Sequence, residues 1–183
     1  KKKYQPLLAD SQDLLTGILV VRSDNAIKNL NDLKGKTVAF PAPNSFAASL
    51  LIRAELAKQK IDINPIFVKT HSNVYRSVIN KDAIAGGGVN NTLDNEATEV
   101  RKELRVLYET SAYTPHPIAT HPSVPNAVRE RFLNATIKLT QDPTGQKLLE
   151  DINLHKPQAV SYTKHYKVLE SLQLDKFLVL TGQ

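Results

Sequence analysis

Asn44, Ser45, Phe46 and Ala47 are the residues with which this chain could hold a negative charge. They stand between an apolar β-rich run, Thr37 to Phe40, and a stretch from about Ser45 to Gln59 in which Leu50, Leu51, Ala54, Leu56 and Ala57 suit the core side of a helix. Pro41 and Pro43 end the strand, and Asn44 or Ser45 makes a good N-cap. A helix that starts there presents free backbone N–H groups and the positive end of its dipole, which attract an anion. His71 opens a second such helix: Thr70-His71-Ser72-Asn73 follows the run Pro65 to Lys69 and precedes Val74, Val78 and Ile79. Gly86-Gly87-Gly88 ends another apolar run. Three glycines there allow either close packing of a helix or the approach of another molecule to the backbone. Asn90 and Asn91, just beyond, are most simply caps. His116 and His121 each adjoin a proline, but no nearby carboxylate or third histidine completes a zinc set, so no metal site is expected. No nucleophile–base pair or carboxylate dyad stands out near the loops, and the chain has no cysteine, so no catalysis and no cofactor are expected.

The elements that must position these residues repeat one plan. Tyr4 to Leu15 reads as an extended lead-in. Thr16 to Arg22 is a strand, nearly all apolar and therefore buried on both faces. Leu30 to Gly35 is a short helical turn closed by a C-terminal glycine. Strand-loop-helix units then follow at Lys36 to Phe40, at Pro65 to Lys69 and at Ala83 to Gly88, with a fifth strand at Leu104 to Tyr108. Three such units in succession imply a parallel sheet with right-handed crossovers, whose loops share the carboxyl edge where ligands of open α/β sheets bind. After Tyr108 the prolines at 115, 117, 122 and 125 break the chain, and Ile118 to Thr120 can be a short strand. Helices are expected from Pro125 to about Thr140, with Val128, Phe132, Ala135 and Leu139 on one face, and from Asp142 to near Asn153.

A net charge of +6 is compatible with an anionic partner, but the lysines are scattered and only Lys1-Lys2-Lys3 form a run. No groove-reading motif accompanies them, so nucleic acid is not the expected partner. No apolar run is long enough to cross a bilayer, and the basic start lacks the apolar stretch of a signal peptide.

The chain resembles the phosphonate-, phosphite- and phosphate-binding proteins of bacterial ABC transporters, a branch of the type II periplasmic binding proteins. The resemblance covers nearly the whole chain. It is carried by Thr16 to Asp24 with Leu30 to Lys36, then Pro43-Asn44-Ser45, His71 at its helix start, Ala85-Gly86-Gly87-Gly88-Val89 and Thr114-Pro115-His116-Pro117. It implies an α/β fold of the type II periplasmic-binding-protein kind: a mostly parallel sheet lobe with helices on both faces, plus a C-terminal helical return to a second lobe. The implied division is a lead-in at 1–15 from a first lobe whose N-terminal part is missing, lobe two at 16–118, and a crossover with the C-terminal helical part of lobe one at 119–183. The implied activity is non-catalytic: capture of a small phosphorus oxyanion between lobes and delivery to an ABC permease, in the periplasm or at the cell surface, without membrane insertion. The alternative is a ligand-sensing domain of a signalling or regulatory protein with the same fold. The family holds oxyanions with a run of hydroxyl residues at the helix start; Ser45 falls on that run, whereas Phe46 and Ala47 contribute only backbone N–H groups. His71 matches the family's anion-contacting histidine. His116 replaces the aspartate with which aminoalkylphosphonate binders hold the ligand amine, implying an unaminated ligand. The resulting ligand candidates are Asn44, Ser45, Phe46, Ala47, His71, Asn90 and His116.

Overall fold

The structure is a computed structural model that describes residues 3–179, so Lys1 and Lys2 of the basic run lie outside the described residues. Its strands are β1 (Gln5–Asp10), β2 (Ile18–Arg22), β3 (Thr37–Phe40), β4 (Asn64–Phe67), β5 (Ala85–Gly88), β6 (Leu104–Glu109), β7 (Ile118–Thr120) and β8 (Pro157–Ala159). Its helices are α1 (Ile52–Lys58), α2 (His71–Ile79), α3 (Asn90–Asp94), α4 (Thr98–Lys102), α5 (Asn126–Leu139) and α6 (Pro143–Glu150). The chain divides into two units: one holds residues up to Leu15 and Ala112–Val168, the other Thr16–Ser111 and the chain from Leu169 onward. The C-terminal stretch thus joins the unit of β2 to β6 and separates from the rest of 119–183.

In the larger unit five strands form a sheet in the order β4-β3-β5-β2-β6. β3 is parallel to both β4 and β5, while β2 is antiparallel to both β5 and β6. Four strands therefore point one way and β2 alone is reversed. The lobe is thus mostly parallel, as expected, with β2 as its one antiparallel strand. The connection from β2 to β3 holds one 3-10 turn, Leu30–Leu33, in place of the packed crossover helix that links parallel neighbours. The helical turn itself is where the sequence put it, closed at its start by a reciprocal capping box between Asn29 and Asp32.

Alternation along β2 feeds two cores. Leu19 and Val21 pack with Val38, Phe40, Ile52 and Leu56 on the α1 face. Ile18 and Val20 pack with Ala39, Val74, Tyr75 and Val78 on the α2 face. Ile18, Leu19, Val20 and Val21 all have 0% exposure, which accounts for an apolar run that serves both faces. Burial of each such side chain is worth about 1.5–3 kcal/mol.

The smaller unit holds an antiparallel sheet in the order β7-β1-β8, with Leu8, Leu149 and Leu154 as its core. The lead-in is thus the central strand of that sheet. Asp142 caps α6 by accepting from Gly145 N at 2.8 Å, with Pro143 in the first turn, as the sequence implied. α5 turns Leu133 toward that core, while Val128 and Phe132 are 51% and 47% exposed.

The glycines of β5 are packing glycines. A Cβ on Gly87 would lie 2.1 Å from Ala48 O and 2.6 Å from Phe40 Cδ1. We expect Gly87→Ala to cost about 1–3 kcal/mol through overpacking, read as a lower urea midpoint. An unchanged midpoint would show that the helix start is not seated on β5.

Candidate functional site

Because β3, β4 and β5 are parallel, the segments that follow them leave the sheet at one edge. Those segments begin at Pro41, Val68 and Val89, and they carry six of the seven ligand candidates: Asn44, Ser45, Phe46, Ala47, His71 and Asn90. His116 belongs to the smaller unit, where it is exposed and lines a cleft with Asp10, Pro115 and Leu154.

After β3 the chain does not enter an α-helix at once. Phe46–Leu51 is π-helical, and Ser45 O accepts from both Ser49 N at 3.1 Å and Leu50 N at 2.9 Å before α1 takes over at Ile52. Ser45 is the N-cap residue, yet its hydroxyl makes no capping bond and has no partner among the described residues. This corrects the expectation of an ordinary side-chain cap. Asn44 does not cap either: its amide Nδ2 donates to Val179 O at 2.8 Å and its Oδ1 accepts from Val179 N at 2.9 Å. The first-turn amide of Ala47 precedes any intrahelical acceptor, as at every helix start. The turn packs tightly on the sheet, since a Cβ on Gly17 would lie 2.2 Å from Ala47 O.

Arg53 anchors this segment from beneath. Its Nη2 donates to Pro43 O at 2.6 Å and to Phe177 O at 2.8 Å, and its guanidinium lies 5.5 Å from the Phe67 ring centre and 5.6 Å from that of Phe177. Burial lowers its pKa. No local sequence signal pointed to Arg53, because its partners lie far away along the chain.

His71 is the first residue of α2, which Thr70 caps by accepting from Asn73 N at 3.1 Å. His71 Nδ1 lies 3.3 Å from Thr92 Oγ1, and Thr92 Oγ1 lies 2.8 Å from the Tyr75 hydroxyl. Tyr75 has 0% exposure, and its ring fits because Gly88 has no Cβ, which would sit 2.5 Å from that hydroxyl. Burial lowers the His71 pKa below the ordinary imidazole value and raises that of Tyr75. Tyr75 stands four residues after His71 on the same helix face, a signal the sequence did offer. Thr92 could be found only once β5 was placed beside α2. Asn90 Nδ2 donates to Glu109 Oε1 at 3.2 Å, which sets a carboxylate of β6 beside the same edge.

In the smaller unit Asp10, Asp13 and His155 each bring a ligand atom within 4.8 Å of the others, a set too dispersed in sequence to be noticed. His155 Nδ1 lies 3.5 Å from Asp10 and 4.0 Å from Asp13. Burial pushes the Asp10 carboxyl up, but the amides of Lys156 and Gln12 together with His155 outweigh it and hold it low.

Residues 1–166 match the family described as "ABC transporter, phosphonate, periplasmic substrate-binding protein". The chain belongs to that family, whose members are solute-binding, non-enzymatic components of transport. Among solved structures it is similar to XAC2383 from Xanthomonas citri bound to chloride ion, with a TM-score of 0.84 at 18% identity over 96% of this chain and 73% of that one. It is similar to PhnD1 from Prochlorococcus marinus in complex with methylphosphonate, with a TM-score of 0.74 at 16% identity over 94% and 72%. A phosphonate-transporter binding protein from Pseudomonas aeruginosa, PA3383, gives 0.68 at 18% identity over 95% and 61%. These likenesses show the fold, that of type II periplasmic binding proteins. No curated protein matches the chain. No helix among the described residues is long and apolar enough to cross a membrane.

Two measurements test the geometry. Replacing Arg53 by Ala should remove the bonds to Pro43 and Phe177, each worth about 1.5–3 kcal/mol for a charged donor, and speed amide exchange at Val179. Unchanged exchange there would show that Asn44 alone holds the C-terminal stretch. For His71, a folded pKa below that of the unfolded chain means that the unfolded state takes up the proton first, so stability should fall as pH drops from about 6.5 toward the lowered value. His71→Gln should flatten that slope in acid urea titrations; an identical slope would assign it to other groups.

Proposed function

We propose that this protein captures a small phosphorus oxyanion (phosphonate, phosphite or phosphate) at the carboxyl edge of its five-stranded sheet and delivers it to an ABC permease. One observation carries the reading: parallel β3, β4 and β5 bring the helix starts at Phe46 and His71 to the same edge, in a chain of the phosphonate-binding family. In this reading the Ser45 hydroxyl and the amides of Phe46 and Ala47 donate to the oxyanion, and His71 contacts it through its ring. Asn44, committed to Val179, positions the loop. Asn90 contributes through its link to Glu109. His116 stands in the sequence where aminoalkylphosphonate binders have an aspartate, which supports an unaminated ligand.

The Glu109 carboxylate favours a second reading, in which an aminated ligand places its ammonium against β6. Titration calorimetry on the full-length protein with methylphosphonate, phosphite, phosphate and 2-aminoethylphosphonate separates the two. The first reading expects the unaminated ligands to bind more tightly, and Ser45→Ala and His71→Ala each to weaken them about tenfold or more, the cost of one charge-assisted hydrogen bond. A clear preference for 2-aminoethylphosphonate that Glu109→Gln abolishes would establish the second. Unchanged affinity in both alanine variants would move the site elsewhere.

A further inference from the structure

The polar groups behind His71 form a chain in which the number of protons is fixed. Thr92 Oγ1 carries one proton and lies 2.9 Å from Val89 O, 2.8 Å from the Tyr75 hydroxyl and 3.3 Å from His71 Nδ1. A carbonyl oxygen can only accept, so the bond to Val89 O uses the threonine proton. Val89 O also receives Thr92 N and Leu93 N, each at 3.2 Å, long contacts that leave it room for the hydroxyl. Two lone pairs then remain on Thr92 Oγ1, and the phenol and the imidazole fill both only by donating. Under this wiring Val89 O, Thr92 Oγ1, the Tyr75 hydroxyl and His71 Nδ1 are all paired. If Thr92 donated to the ring instead, the contact at 2.9 Å with Val89 O would face two oxygens with no proton between them.

A neutral imidazole carries a single N–H, and the burial of His71 favours the neutral ring. With that proton on Nδ1, Nε2 is a bare lone pair, and it has no hydrogen-bond partner among the described residues. We infer that Thr92 is a positioning residue that fixes His71 as the Nδ1–H tautomer, so that Nε2 accepts a hydrogen bond and the site selects an oxyanion that still carries a proton. This rests on the reading of His71 as a ligand contact. The chemical class is then a hydrogen phosphonate or related monoanion: its P–OH donates to Nε2 while its unprotonated oxygens face the helix-start amides. A dianion offers Nε2 only lone pairs, and the contact becomes repulsive. Titratable groups around the network are Tyr75 and the carboxylates of Asp94 and Glu96, both of which act on Tyr75, with Glu96 also accepting from Ser72 Oγ. The pH dependence inferred here is that of the ligand's second ionisation.

Two readouts test this on the full-length protein. Nitrogen-15 NMR of the His71 ring without ligand should show the proton on Nδ1; Thr92→Val should move it toward Nε2 and Thr92→Ser should restore it. A wild-type ring protonated on Nε2 overturns the inference, and this result is decisive even if Thr92→Val does not fold. Calorimetric titration with methylphosphonate should then show affinity, expressed per total ligand, falling about tenfold per pH unit above the second ionisation of methylphosphonate. Thr92→Val should lose that fall whereas Thr92→Ser keeps it. Binding that holds or tightens as the dianion forms overturns the selection of a protonated ligand. Absence of methylphosphonate binding at every pH refutes the oxyanion reading itself, while the NMR result still decides the tautomer.

Discussion

The larger unit depends on how closely helical segments can approach the backbone of β5. Side chains normally keep helix and sheet apart by the thickness of their own packing. Here three consecutive glycines remove that layer at the middle of the sheet, so Ala48 O, the valines of α2 and the Tyr75 ring reach the strand directly. The consequence on one face is a helix start seated on the sheet, and on the other a buried phenol under His71. A strand of alanines could keep the same hydrogen-bond ladder, but it would push both helix starts away from the strand.

That constraint explains how much was legible in the sequence. β2, β3, the 3-10 turn, α2 and α6 were readable because each carries its own signals: an all-apolar run, capping residues, a proline in the first turn. The reversed direction of β2 was not, because strand direction is set by what the connections can span and its own residues look the same either way. β1 and β8 were missed as partners for a similar reason: a polar lead-in and a three-residue strand become a sheet only through pairing across most of the chain. At the site, Ser45 and His71 were found from their place at helix starts. Thr92, Arg53 and Glu109 were not, since each earns its role from a neighbour brought in by topology.

The π-helical stretch at Phe46–Leu51 shows how a local rule is set aside. Sequence logic asks for a capped α-helix with Asn44 or Ser45 on its free amides. Instead the Asn44 side chain pairs with Val179 like a short piece of strand, Ser45 leaves its hydroxyl uncommitted, and the wider helical turn settles Ala47 and Ala48 onto Gly17 and Gly87. Stability that a cap would have supplied comes from the Arg53 anchor and the buried alanines. The exchange leaves donors at the edge in a family whose business is binding phosphonates.

β2 and β6 bring the two ends of the Thr16–Ser111 segment together. Gly17 N donates to Thr110 Oγ1 at 2.9 Å, and Thr110 N donates to Gly17 O at the same distance. A stretch of chain that starts and finishes at one point behaves as an insert: closing its ends on each other needs almost no extra loop and therefore little entropy. In evolutionary terms such a segment is portable. Its exchange would nevertheless leave behind the chain from Leu169 onward, whose Phe177 and Val179 pair with Arg53 and Asn44 inside the same unit.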